Sequence, residues 1–243
     1  MVTMDVASIA LIAGISTFQV IDLTHLITPD VRVWDYSCGF NAELTGDYGN
    51  GGFRGYRYSM RSCLGTHMDS PAHCIEGAAD CSTLDIKNCV VPAIVIHLDE
   101  KAHEDYCIST EDILDFEEKN GMIQPGSLIF FNTGWAKRWN DPVKFRNEKS
   151  DGVPHFPYLS EQAAQLLLDR SIVGIGVDTF SPDAFYLPPL VHKLLLGAGK
   201  YIIENVANLE SMPVTGAFVI ALPLKINEGT ESPIRLVALV STL

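Results

Sequence analysis

The sequence predicts an α/β fold with a mixed, barrel-like sheet and surrounding helices. Apolar runs typical of strands buried on both faces alternate with capped helical segments, and the strand candidates outnumber the helices. The chain has 243 residues, of which 47% are hydrophobic, so a sizeable core can form and wholesale disorder is excluded. We therefore expect one domain over residues 1–243, with residues 1–17 as an N-terminal extension or helix.

The strand candidates are apolar runs rich in β-branched residues. In order they are Tyr56–Cys63, Val90–Leu98, Ser127–Phe131, Ile172–Val177, Tyr201–Ile203, Phe218–Ile226 and Ile234–Val240. Three helices interleave with them: one capped by Ser109 or Thr110 that ends at Lys119, Glu161–Asp169 behind Ser160, and Leu190–Leu196 before Gly197. Two polar stretches, 41–55 and 140–157, are predicted to be long surface loops.

Charge and composition exclude several classes of function. The formal net charge is −13, and such an acidic field repels phosphate backbones, so we expect no nucleic-acid partner. No run of about 18 apolar residues is present, which predicts no membrane span. The short apolar run 9–15 follows Asp5 and no Lys or Arg, unlike a signal peptide. Six cysteines without a C-x-x-C pair indicate reduced thiols and a cytoplasmic location.

The segment from Cys63 to His73 carries the strongest chemical signal. Cys63, His67, Asp69 and His73 all occupy odd positions, and on an extended chain these would point to one face. A thiol, two imidazoles and a carboxylate together favour a borderline metal such as zinc. Each residue also has a structural interpretation, for example Cys63 as a small buried hydrophobe.

A second group of polar residues lies downstream in apolar surroundings. Asp178 ends a predicted buried strand, His192 lies in a predicted helix, and Glu204 follows Ile202 and Ile203. A buried Glu204 must be paired, protonated or metal-bound, whereas on an edge strand it would face water. Asp178 could equally form a salt bridge or cap a helix.

These residues resemble the signature of the cyclase family of metal-dependent hydrolases, which includes bacterial-type kynurenine formamidases and isatin hydrolases. The matching segments are Asp22-Leu23-Thr24, Gly65-Thr66-His67-x-Asp69-x-Pro71-x-His73, Asn132-Thr133-Gly134-Trp135, Gly174-x-Gly176-Val177-Asp178-Thr179 with Ser181-x-Asp183, His192, and Glu204-Asn205-x-x-Asn208-Leu209. Order and spacing hold from about residue 20 to the C-terminus. The resemblance implies a swivelling β/β/α domain, a homo-oligomer (dimer or tetramer) and a centre of one or two divalent ions, zinc before manganese.

The resemblance also assigns roles residue by residue. It implies that His67 and Asp69 are metal ligands, with Asp69 bridging two ions, and that His73 is a general acid/base or a ligand. It implies that His192 and Glu204 ligate or adjoin the second ion, His192 also being a catalytic candidate. The family usually has a histidine at the position of Cys63, so this thiol either ligates zinc or marks a weakened site.

The function that the resemblance implies is hydrolysis of amide or formamide C–N bonds, most like an arylformamidase that converts N-formylkynurenine to kynurenine and formate. Glu204 favours this interpretation, because the isatin-hydrolysing branch has glutamine there. The alternatives are a hydrolase of cyclic amides or lactones of the isatin hydrolase type, and a non-catalytic relative that binds a metal or small ligand. The absence of G-x-S-x-G argues against an α/β-hydrolase route to the same substrates.

Overall fold

A mixed nine-stranded sheet forms the centre of the molecule. The computed structural model describes residues 18–29, 31 and 39–242, and the predicted N-terminal extension lies outside these residues. The strands are β1 Phe18–Asp22, β2 Phe40–Gly46, β3 Gly55–Met60, β4 His67–Asp69, β5 Val90–His97, β6 Cys107–Ile108, β7 Leu128–Asn132, β8 Tyr158–Leu159, β9 Gly174–Val177, β10 Tyr201–Glu204, β11 Ala217–Ile220, β12 Glu231–Pro233 and β13 Val237–Ser241. The helices are α1 Thr110–Asn120, α2 Pro142–Arg146, α3 Glu161–Asp169 and α4 Leu190–Gly197.

The order of strands in the large sheet is β1-β13-β11-β5-β7-β9-β10-β4-β12. The four central strands β5, β7, β9 and β10 run parallel, and antiparallel strands extend the sheet on both sides. Residues that follow β1 at one edge bond to residues that follow β10 near the other edge, since Ala207 N donates to Leu23 O at 3.0 Å. The sheet therefore curls into a half-barrel, which confirms the predicted mixed, barrel-like α/β fold.

Both faces of the central strands are buried. Ile129 and Phe131 of β7 pack with the helices, whereas Leu128 and Phe130 pack inside the curl with residues from both sheet edges. The glycines of β9 make room for this packing, because a Cβ on Gly176 would lie 2.4 Å from the Phe130 ring. Near-continuous apolar sequence is the expected signature of such strands.

Several predicted boundaries agree with the structure. Helix α1 begins after Ser109, which forms a capping box with Asp112, and Gly121 ends it. The Ser160 side chain accepts a hydrogen bond from Ala163 N at the start of α3. Capping chemistry is local, so the sequence displays it directly.

Other predictions were wrong. The stretch 41–55 is not one long loop, because its first part belongs to β2, which pairs with β3 as an antiparallel hairpin. The side chains of β2 are mostly exposed, so the apolar alternation that predicts a strand is missing there. Strand β3 agrees with the strand predicted over Tyr56–Cys63, although it ends at Met60. The stretch 140–157 contains the short helix α2, whose Lys144 N–H bonds to Asp141. The strand predicted over Phe218–Ile226 ends at Ile220.

The predictions of reduced thiols and of no membrane span can be compared with the described residues. The five cysteines among them are free thiols, and Cys38 lies outside them. In this part of the chain no helix has both the length and the apolar character required to cross a bilayer.

Candidate metal centre

Strands β4 and β10 place the predicted site residues opposite each other. They pair antiparallel, with His67 across from Glu204. Strand β10 lies between β9 and β4, so it is an interior strand, and Glu204 is 7% exposed. The interpretation of Glu204 as a solvated edge residue is therefore wrong.

Two imidazoles and two carboxylates form a closed ring of contacts. Nε2 of His67 lies 3.5 Å from Asp69 Oδ1 and 3.3 Å from Glu204 Oε2. Nε2 of His192 lies 3.4 Å from Asp69 Oδ2 and 3.3 Å from Glu204 Oε1. Each carboxylate thus has one oxygen on the His67 side and the other on the His192 side.

Backbone geometry fixes the orientation of His67. Its Nδ1 lies 2.9 Å from the carbonyl oxygen of Gly65, so this nitrogen donates and Nε2 is the one turned to the carboxylates. Gly65 has φ +63°, a conformation that favours glycine. The Asn205 amide also donates to Gly65 O, at 3.1 Å, and so ties the end of β10 to this turn.

A third carboxylate orients His192. Oδ2 of Asp183 lies 2.6 Å from His192 Nδ1 and also accepts the backbone N–H of His192. Its Oδ1 accepts the N–H of Val191, so Asp183 caps the N-terminus of α4. A carboxylate behind an imidazole is the usual support of a metal-ligating histidine, because it fixes the tautomer and the ring orientation.

The ring attracts positive charge. Burial lowers the pKa of the His67 imidazole, but the neighbouring Glu204 and Asp69 carboxylates outweigh burial and raise it to about 9. The pKa of His192 is likewise raised, because Asp183, Asp69 and Glu204 together outweigh its burial. Burial raises the pKa of the Asp69 carboxyl, but the contact with His192 and the charge of His67 dominate and lower it.

The donor atoms fit a divalent cation. Oδ1 of Asp69 is buried and has no hydrogen-bond partner among the described residues, which is costly for a carboxylate oxygen unless a cation occupies its free side. Ligand atoms of Asp69, His192 and Glu204 lie within 4.8 Å of one another. Imidazole nitrogens with carboxylate oxygens suit zinc and, with more oxygen ligands, manganese.

Cys63 and His73 lie near the ring, but the segment that carries them is not extended throughout, contrary to the prediction from the sequence. The extended alternation holds for His67 and Asp69, whereas the chain turns at Gly65 and enters a short 3₁₀ helix at Pro71–His73. Both residues line the cavity above the ring, but neither belongs to the compact groups of three ligand atoms among the described residues. The His73 ring is 5.9 Å from that of His192, and its side chain is 35% exposed. Burial and nearby carboxylates raise the pKa of the Cys63 thiol to about 12.

Sequence reasoning missed Glu231, on strand β12. This residue pairs with Asp69 across the β12–β4 ladder, and its carboxylate forms a second group of ligand atoms with His67 and Asp69. A glutamate in a short polar segment about 160 positions after its partners gives no signal in the sequence.

A cavity of about 690 Å³ opens above the ring. Its walls away from the polar groups are largely apolar and include Val153, Pro154, Phe180, Phe185 and Leu187. The size and the combination of apolar walls with convergent polar groups are typical of small-molecule sites.

Asp178 lies outside this constellation and has a structural role. The Thr133 hydroxyl donates to its Oδ1 at 2.6 Å, and the N–H groups of Thr133 and Trp135 donate to its Oδ2 at 3.1 and 2.9 Å. The motif Asn132-Thr133-Gly134-Trp135 is therefore hydrogen-bonded to the motif that contains Asp178. Burial raises the pKa of Asp178 to about 6 against these hydrogen bonds.

Comparison with known proteins identifies the family. The family model described as Putative cyclase matches residues 21–184. Isatin hydrolase from Roseibium aggregatum is 36% identical over 187 residues, which cover 72% of this chain and 71% of that protein. Kynurenine formamidase from Bacillus mycoides is 28% identical over 223 residues, 91% of this chain and 97% of that protein. The chain belongs to the cyclase family.

Solved structures agree with this assignment. A crystal structure of an isatin hydrolase bound to the product analogue thioisatinate has a TM-score of 0.90 at 28% identity and covers 98% of this chain and 100% of that one. The structure of a predicted metal-dependent hydrolase from Bacillus stearothermophilus has a TM-score of 0.71 at 26% identity, covering 91% and 98%. The resemblance and the fold expected from it are confirmed, and the findings support a cyclase-family hydrolase.

Proposed function

We propose that this protein is a metal-dependent hydrolase of small aromatic amides and formamides. The observation that carries the proposal is the ring of His67, Asp69, His192 and Glu204. Within the part of the chain that the structure describes, one buried carboxylate oxygen of Asp69 in this ring has no hydrogen-bond partner. These four residues would hold one or two divalent ions, zinc in preference to manganese. A cation held there supplies Lewis-acid chemistry, because it makes water acidic enough to attack near neutral pH and polarises a carbonyl oxygen.

The chain's own residues supply orientation and proton transfer. Asp183 and the Gly65 carbonyl hold the two imidazoles with Nε2 facing the carboxylates. His73, at the rim of the cavity, takes a proton from the attacking water and passes it to the leaving nitrogen. His192 was also a catalytic candidate in the sequence, and its contacts suit a ligand better, since both of its ring nitrogens face carboxylates.

The substrate class follows from the cavity and from the relatives. Isatin and N-formylkynurenine, the substrates that the relatives' names indicate, both carry an acyl group on an aromatic amine nitrogen. Hydrolysis of either breaks the bond between that nitrogen and a carbonyl carbon. Apolar walls formed by Phe180, Phe185 and Leu187 suit an aromatic ring of this kind. We propose an arylformamidase activity on N-formylkynurenine, which Glu204 favours.

Hydrolysis of a cyclic amide such as isatin is the second candidate. It is favoured by the 36% identity to the Roseibium aggregatum isatin hydrolase and by the TM-score of 0.90 to a structure of an isatin hydrolase. We further propose a cytoplasmic homo-oligomer, a dimer or tetramer. Cys63 is either a zinc ligand or a site residue that no longer ligates.

The test is to purify the protein without chelators, determine metal per chain by elemental analysis, and measure hydrolysis of both substrates with zinc and with manganese. We expect bound metal and faster turnover of N-formylkynurenine than of isatin. The reverse order of rates would assign the isatin-type activity. Metal-loaded protein that hydrolyses neither these nor other aryl formamides, lactams and lactones would contradict the proposal in favour of a non-catalytic relative, which activity gained in Cys63→His would support.

A further inference from the structure

We propose that Glu231 is a ligand at the His67 side of the metal centre, so that this side is built from His67, Asp69 and Glu231. The inference deepens the proposed function and rests on it, because it concerns which residues hold the cation. The resemblance in the sequence points to no residue of this segment.

Strand β12 places Glu231 beside the ring. In the β12–β4 ladder Glu231 is the register partner of Asp69, and Pro233 is the partner of His67. Directly opposite residues of an antiparallel pair project their side chains to the same face. Ligand atoms of His67, Asp69 and Glu231 accordingly lie within 4.8 Å of one another.

The unsatisfied atom of Asp69 lies on this same side. Oδ1, which has no hydrogen-bond partner in residues 18–29, 31 and 39–242, is the oxygen 3.5 Å from His67 Nε2, whereas Oδ2 faces His192. Asp69 is therefore shared by two groups of three ligands, one with His192 and Glu204 and the other with His67 and Glu231. A carboxylate that turns one oxygen to each group is suited to bridge two cations.

Glu231 is held in place for this role. Its side chain is 15% exposed, and its Oε2 accepts a hydrogen bond from the Ser62 hydroxyl at 2.7 Å. Hydrogen bonds of this kind orient ligating carboxylates. Three carboxylates beside two imidazoles in a largely buried place leave excess negative charge, which divalent cations would neutralise.

The experiment is a zinc titration of the metal-depleted full-length protein by calorimetry, with elemental analysis after dialysis. The variant is Glu231→Gln, which keeps the size and the ability to accept from Ser62. The matched control is Glu210→Gln, which removes the same charge from an exposed position. We expect about two zinc ions per chain in the wild type and in E210Q, and in E231Q at least about a tenfold weaker affinity at one of the sites.

The outcomes separate this inference from the proposed function. If E231Q binds zinc with the stoichiometry and affinities of the wild type, Glu231 is not a ligand. If E231Q binds zinc like the wild type but turns over substrate more slowly, Glu231 acts on His73 instead, whose Nδ1 is 3.9 Å from Glu231 Oε2. Wild-type protein that takes up no zinc would overturn both proposals. If the wild type takes up one ion, weaker binding of that ion in E231Q supports the inference and unchanged binding overturns it.

Discussion

Asp69 and Asp178 are both aspartates with almost no exposed surface, on strand β4 and directly after strand β9 respectively. Asp178 is surrounded by donors that belong to the fold itself, namely two backbone N–H groups and a hydroxyl. Asp69 faces two imidazoles and adjoins two further carboxylates, and one of its oxygens has no hydrogen-bond partner in the described part of the chain. The comparison teaches that the partners of a buried carboxylate, rather than its burial, separate a structural residue from a candidate ligand.

The largest expected effect is on catalysis, from Asp69→Asn. The amide cannot supply two negatively charged oxygens to the two groups of ligands, so we expect turnover to fall more than about 100-fold and zinc uptake to fall with it. Stability of the metal-depleted protein should also fall, because the buried His67 and His192 imidazoles lose a charged partner. Steady-state kinetics and urea unfolding test both parts. Retention of more than a tenth of the wild-type turnover would contradict the assignment.

Asp178→Ala should act mainly on the stability of the protein. It leaves the N–H groups of Thr133 and Trp135 and the Thr133 hydroxyl without their acceptor, and each unsatisfied buried donor costs about 1–3 kcal/mol. We expect the free energy of unfolding to fall by about 3 kcal/mol or more, measured by urea unfolding of the metal-depleted protein. Asp178→Asn is the milder control, since it keeps one acceptor oxygen. A loss below about 1 kcal/mol for the alanine variant would show that the donors find other partners.

The pH dependence of stability sharpens the same contrast. Because burial raises the folded pKa of Asp178 to about 6, above an unfolded value of about 3.9, the native state binds this proton more tightly. The resulting stability is present at low pH and is lost as pH rises through about 6. Relative to Asp178→Asn, the wild type should lose about 2–3 kcal/mol between about pH 4 and pH 7. Parallel stability curves for the two proteins would rule out the raised pKa.

The smallest expected effect comes from Asp183→Asn. The single amide oxygen can accept only one of the two α4 N–H groups that the carboxylate accepts, and the charge behind His192 is gone. We expect zinc affinity to fall about 10- to 100-fold and the unfolding free energy of the metal-depleted protein to fall by about 1–3 kcal/mol, because one buried N–H group loses its acceptor. Zinc titration beside urea unfolding tests this. A loss of stability with unchanged zinc affinity would make Asp183 a helix cap alone.

The sequence predicted the parallel centre of the sheet better than its periphery. Strands β5, β7, β9 and β10 are buried on both faces, so their apolar runs appear directly in the sequence. Strand β2 was missed because its side chains are exposed, whereas β3 had been predicted as a strand over Tyr56–Cys63. The ladder hydrogen bonds that join them as a hairpin have no residue-type signature.

The residues of the candidate site also differ in how far the sequence predicted them. His67, Asp69, His192 and Glu204 were proposed from motifs, and the structure brings them into one ring. Asp183 belongs to one of the matching motifs, but the sequence assigned it no role, because its contact with the His192 imidazole depends on the tertiary structure. Glu231 had no motif at all, and only the β12–β4 register places it beside Asp69.

By itself the sequence determined the fold class, the family resemblance and the residue types able to bind a cation, because local patterning, capping and short motifs are properties of neighbouring residues. The tertiary structure alone decided which buried carboxylates the fold satisfies and which it leaves facing imidazoles. That decision depends on the curl of the sheet and on pairing between strands about 160 residues apart, and no local pattern encodes either of them.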